Sequence, residues 1–174
     1  MLRISKIIDY GTLVLTHMAG RPGHVFSAAD LAVGLGLGQP TVSKVLKTLG
    51  RHSLVKSTRG ARGGYALSRP PEQISIAQIV DAFEEQPFGL TECTATPGVC
   101  SFESGCHIRV NWQRINAIVR RTLEDVSVAD MLRPAPVGTP VETPVELSAH
   151  ANPAPKFESR IEMAASAKTW SFRK

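Results

Sequence analysis

With 174 residues, 43% of them hydrophobic, the chain is long enough for one ordinary domain with a packed core and some additional segment. It carries a formal net charge of +5 and contains no run of about 18 apolar residues, so no membrane-spanning helix is expected. The opening "MLRISKIIDYG" is broken by Ser5, Lys6 and Asp9 and does not read as a signal peptide, so the expected location is cytoplasmic.

The first predicted helix carries Ile4, Ile8, Gly11, Leu15 and Met18 at helical spacing, with Ile7 and Val14 beside them, and "GRPG" ends it. Asp9 lies about 100° round that helix from Ile8 and so faces away from the apolar stripe. A second helix starts at "SAADLAVGLGL", with Ser27 as N-cap and Asp30 three residues on, a near capping box. "GLGLG" then makes a turn. A third helix follows in "QPTVSKVLKTLGRHSLV", where Pro40 suits the first turn. Val42, Val45, Leu46 and Leu49 form its apolar stripe, and Thr41, Ser43, Lys44, Lys47 and Thr48 its outer face. Two short helices joined by a glycine turn, the second with a basic, hydroxyl-rich outer face, make a helix-turn-helix pattern.

Next, "LVKSTRGARGGYALSRP" holds two alternating segments around a glycine-rich tip with Arg59 and Arg62, which reads as a β-hairpin. A basic hairpin directly after a helix-turn-helix is a wing. From Gln39 to Arg69 the chain has seven Lys or Arg and no Asp or Glu, so the remainder is slightly acidic. Positive charge concentrated in this way is the footprint of a nucleic-acid surface. Thr41, Ser43, Lys44 and Lys47 of the helix and Arg59 and Arg62 of the wing are the expected DNA contacts.

A fourth helix is predicted in "ISIAQIVDAFEEQ", with Ile76, Ile79, Val80 and Phe83 on its buried face. Beyond the cysteines, "HIRVNWQRINAIVRRTLEDVSVADML" reads as one long helix. Ile108, Trp112, Ile115, Val119, Thr122 and Val126 step by four, three, four, three and four, the narrow seam of a coiled-coil interface. A small domain has little core for such a helix to cover, so a symmetric dimer is expected. Six of the twelve prolines fall in the last 41 residues, which read as a disordered Pro/Ala-rich tail.

The expected fold is mainly α with a small β-hairpin wing, a winged helix-turn-helix with a long dimerisation helix. Its expected parts are a DNA-binding domain over 1–88, a cysteine loop over 89–107, a dimerisation helix over 108–133 and the tail over 134–174. No phosphate-cradling glycine motif and no Ser/His/Asp set is present, and His17, His24, His52 and His150 are scattered, so an enzyme is not expected.

All three cysteines, Cys93, Cys100 and Cys106, lie within fourteen residues, separated by six and then five residues. An odd number leaves one over from any disulfide framework. Structural zinc sites use tight pairs of cysteines, which this segment lacks. Three well-spread thiolates in a Gly/Pro-rich loop suit a larger object such as an iron–sulphur cluster, although zinc and a thiol switch stay open. A carrier of clusters or electrons is a further alternative, against which the acid-free basic span argues.

"MLRISKIIDYGTLVL", the helix-turn-helix, "RGARGGYALSRP" and the three-cysteine loop together resemble the winged-helix iron–sulphur regulators that include IscR, NsrR and RirA, over about residues 1–133. The "MLRISK" and "DY" of the opening and the "LSRP" after the wing look most like the regulators of SUF-type cluster assembly. The resemblance implies a homodimeric, DNA-binding transcription factor, a repressor on palindromic promoter sites. It also implies a 2Fe–2S or 4Fe–4S cluster ligated by Cys93, Cys100 and Cys106. For the fourth ligand the resemblance offers Asp9 of the partner subunit, as in NsrR-type proteins, or His107. The histidine used by IscR, three residues after the last cysteine, is here Arg109. A nitric-oxide- or iron-responsive regulator of the same fold, and a zinc-stabilised winged-helix protein without sensing, are the alternatives.

Overall fold

The computed structural model describes residues 4–60, 63–84 and 87–133. Four helices and a hairpin come first: α1 (Lys6–Ala19), α2 (Ala28–Leu35), α3 (Gln39–Arg51), β1 (Val55–Thr58), β2 (Gly64–Leu67) and α4 (Ile76–Phe83). Three further helices follow, namely the four-residue α5 (Glu92–Ala95), the long α6 (Arg109–Asp125) and the short α7 (Val128–Leu132). β1 and β2 are antiparallel, in a register that pairs Val55 with Leu67 and Thr58 with Gly64.

The apolar periodicity dictates the core. Ile8, Val14, Leu15 and Met18 of α1 meet Leu31 of α2, Val42, Val45, Leu46 and Leu49 of α3 and Ile79 and Val80 of α4, all but fully buried. Phe26, between α1 and α2, joins them and exchanges two backbone hydrogen bonds with Tyr65 of β2, at 2.8 and 2.7 Å. That exchange fastens the wing to the helices.

Helix starts follow local side-chain chemistry. Ser27 accepts from the Asp30 N–H at 3.1 Å, and the Asp30 carboxylate accepts in return from the Ser27 N–H at 3.1 Å, completing the predicted box. Ser75 and Gln78 do the same at the start of α4. The hydroxyl of Ser27 also donates to Asp30, and these hydrogen bonds hold the Asp30 carboxyl below its ordinary range.

The expected single helix over 108–133 is a break in two. α6 ends at Asp125, Val126 is extended, and Ser127 starts α7 with a capping box to Asp130. The physical reason is tertiary as well as local. The Ile76 N–H donates to the Val126 carbonyl at 2.9 Å and the Val128 N–H to the Ile74 carbonyl at 2.8 Å, a short bridge between the chain before α4 and the joint. α7 then packs on α1, and Val128 is fully buried in the same core. The winged unit is therefore not confined to 1–88 but closed by residues from beyond α6, and Val126 belongs to the joint rather than to a helical seam. The tail expected over 134–174 lies outside the described residues.

Candidate nucleic-acid interface and cysteine loop

α3 separates its two faces cleanly. Val42, Val45, Leu46 and Leu49 are each 0% exposed, while Ser43, Lys44 and Lys47 are exposed and Thr41 is half-buried. Gly38 and Pro40 precede the outer face and leave the first turn without a side-chain cap. Helix N-terminal N–H groups left free in this way can donate to phosphate.

The wing stands beside α3. Arg59 is exposed, and Arg62 lies outside the described residues. Gly60 has φ +123°, a conformation that side chains resist, and a Cβ on Gly63 would strike the Thr58 carbonyl, so the tip turns too sharply for other residues. Among the described residues Lys44, Lys47 and Arg59 have no carboxylate partner. Arg69 differs from the rest of the basic span: its Nη2 donates to Gln78 at 3.2 Å, fastening the wing's exit to α4.

The cysteine segment is more ordered than its composition suggests. Thr91 caps α5, and its Oγ1 lies 3.3 Å from the sulphur of Cys93, which is buried. The Leu90 N–H donates to the Asn116 side chain of α6 at 3.0 Å. Cys100 and Cys106 are half-buried and flank a single 3₁₀ turn, Glu103–Gly105. All three cysteines are free. Asp9 and His107 are exposed, and among the described residues no three His, Cys, Asp or Glu side chains gather closely enough to hold a metal ion. The sequence-predicted ligands are thus placed on α1, α5 and the loop without being brought together within one chain.

Arg109, three residues past Cys106, is engaged elsewhere: its guanidinium pairs with Glu103 at 2.6 Å. Glu103 and Asn116 escaped the reading of the sequence, because nothing in a lone Glu or Asn announces which backbone it will reach.

α6 has no buried residue. Ile108, Ile115 and Ile118 are 57%, 43% and 43% exposed, Trp112 and Val119 are half-buried and Thr122 is exposed. Half-buried Leu123, packed on the core, and a polar tie hold the helix to the winged unit. Arg120 makes a two-point ion pair with Asp81 of α4, at 2.5 and 2.8 Å, bonds Glu124 at 2.7 Å and lies 5.9 Å over the ring of Phe88. Those carboxylates raise its already high pKa further.

A helical core closed by α7, a recognition helix with exposed cations and a glycine-tipped basic hairpin define a winged helix-turn-helix, the fold of DNA-binding regulators. The profile of the Rrf2 family, described as "Iron-dependent Transcriptional regulator", matches residues 4–134, and the chain belongs to that family. It is similar to CymR, "the Global Cysteine Regulator of B. subtilis", at 27% identity and TM-score 0.59, over 76% of this chain and 97% of that one. It is equally similar to T. potens IscR, at 27% identity and TM-score 0.59, over 75% of this chain and 86% of that one. CymR of Staphylococcus aureus aligns at 25% identity and TM-score 0.57, over 76% and 99% of the two chains. Among the described residues no helix is long and apolar enough to cross a membrane.

Proposed function

We propose that this transcriptional regulator is a cytoplasmic homodimer that represses SUF-type iron–sulphur assembly genes and reads cluster supply through a cluster of its own. The carrying observation is the cysteine segment: three free thiols, no disulfide, and a position between the winged unit and a helix that fully buries none of its residues. Three soft thiolates suit an iron–sulphur cluster, whose remaining position can take a carboxylate or an imidazole. Cys93, Cys100 and Cys106 would hold the cluster, with Asp9 of the partner subunit or His107 as fourth ligand. When bound, it would supply an iron- and oxidant-sensitive cross-link among the thiolates.

The chain's own residues would carry the consequence. Order at Leu90–Cys93 passes to α6 through Asn116, and from α6 to α4 through Arg120 and Asp81. Ile108, Trp112, Ile115, Val119 and Thr122 would form the dimer seam, which sets the separation of two recognition helices and favours a palindromic site. Thr41, Ser43, Lys44, Lys47, Arg59 and Arg62 would contact the DNA.

Anaerobic purification with a visible spectrum and iron and sulphide counts tests this. A brown protein that loses its colour in Cys93→Ala is expected, and Asp9→Ala and His107→Ala then identify the fourth ligand. A colourless protein after reconstitution, with zinc or without metal, would sink the cluster. On DNA, Lys44→Ala should lower the salt slope of binding by about one unit. The equal likeness to CymR supports a second reading, in which the thiols stay unligated and the regulated genes concern cysteine. The same metal counts separate the two.

A further inference from the structure

We propose that Glu103 and Arg109 form a clamp that holds Cys100 and Cys106 in place for cluster binding, making both of them positioning residues. The inference rests on the cluster reading above and extends it to residues outside the ligand set.

Three observations carry it. First, Glu103 joins the two ends of one arm of the loop: its Oε2 accepts from the Gly98 N–H at 2.6 Å and its Oε1 from the Arg109 guanidinium at 2.6 Å. The closed segment runs from Gly98 to Arg109 and contains Cys100 and Cys106 but not Cys93, which is held separately by α5 and Thr91. Secondly, the backbone within the segment follows the clamp. The Glu103 N–H donates to the Cys100 carbonyl at 3.1 Å and the Arg109 N–H to the Cys106 carbonyl at 3.3 Å, so each clamp residue is tied directly to one cysteine. Thirdly, the Glu103 side chain is only 12% exposed, unlike an ordinary surface ion pair, and the Arg109 Nε is buried with no partner among the described residues. A buried N–H without an acceptor is unusual. An anionic, sulphur-rich group between Cys100 and Cys106 would offer it one, and the guanidinium charge would offset the charge of the thiolates.

Exposed ion pairs contribute little by themselves. This pair instead closes a loop whose two thiols would otherwise sample many separations, and ordering them beforehand lowers the entropic cost of binding.

The test uses the full-length protein with Glu103→Gln, Arg109→Gln, the double variant and Arg109→Lys. In metal-free protein, hydrogen exchange of the peptide spanning 97–109 should quicken about three- to tenfold in either single Gln variant. The double variant should be no faster, and α1–α4 and the melting temperature should be unchanged. After anaerobic reconstitution, loss of the visible band to an iron chelator should quicken by a similar factor, with Arg109→Lys, which keeps the charge but lacks the Nε donor, between wild type and Arg109→Gln. Unchanged exchange in both Gln variants would mean that the clamp does not form. Faster exchange with unchanged cluster loss would show a clamp that positions nothing. If wild type itself takes up no cluster, the cluster reading falls and the positioning role falls with it, while the exchange arm still reports whether the clamp exists.

Discussion

The winged half and the cysteine-bearing half of this molecule are built on opposite principles. α1–α4, the wing and α7 enclose nearly every fully buried side chain, from Val14 and Leu15 to Ile79 and Val128. Between Phe88 and Asp125 only Cys93 is buried; Phe88 and Leu123 rest half-buried on the core, and the remaining order comes from polar ties: Leu90 to Asn116, Glu103 to Gly98 and Arg109, Arg120 to Asp81. Burial is worth about 25 cal/mol per Å² of apolar surface and does not switch off, whereas partly exposed polar ties contribute about 1 kcal/mol or less each. A rigid winged head joined to a lightly held cysteine segment divides the molecule by stability, and elements that move are drawn from the low-stability end of a protein.

The largest expected effect lies in the head. Leu46→Ala removes a wholly buried side chain and should cost about 2–5 kcal/mol in chemical denaturation. Ile115→Ala, on a residue 43% exposed, should stay within about 0.5 kcal/mol for the monomer. Equal losses would erase the contrast. Next, Ile115→Glu should leave the fold intact yet move the protein from dimer to monomer in sedimentation velocity; a dimer of undiminished affinity would show that the seam lies elsewhere. Arg120→Gln comes third, with a loss of about 1 kcal/mol and faster hydrogen exchange in α6 while α1–α3 hold. Uniform acceleration across both halves would mean they unfold as one.

The smallest effect concerns pH. Hydrogen bonds from Ser27 and Ser127 lower the Asp30 and Asp130 carboxyls below the ordinary value near 3.8. A carboxyl with a depressed folded pKa contributes stability above its unfolded value, and that contribution fades as pH falls through the depressed one. Exchange protection in α2 and α7 should therefore decline below about pH 4 relative to α4, whose Ser75–Gln78 box does not titrate. Asp30→Asn should abolish the decline in α2 alone.

Much of the fold was legible. The stripes of α1, α3 and α4 are patterns of local periodicity, and the Ser27–Asp30 box and the "RGARGG" tip are signals of local chemistry. The broken helix was legible too: "SVAD" at Ser127–Asp130 repeats the chemistry of "SAAD" at Ser27–Asp30. Helical periodicity running through it from Ile108 masked the signal. In the candidate site the thiols, the exposed Lys44 and Lys47 and Arg59 were read from type and spacing. The parts missed, Asn116, Glu103 and Arg120, act through contacts up to 39 residues apart in the chain.

The sequence by itself determined the helices of the head, the faces they bury, the basic wing and the concentration of thiols, because each depends on residues within a few turns of one another. Only the tertiary structure decided that α7 folds back to complete the core, that Asn116 reaches the Leu90 backbone, and that Arg120 ties α6 to Asp81 of α4. Those outcomes depend on which backbone groups and charges meet across long separations, and a side chain's type does not carry the address of its partner.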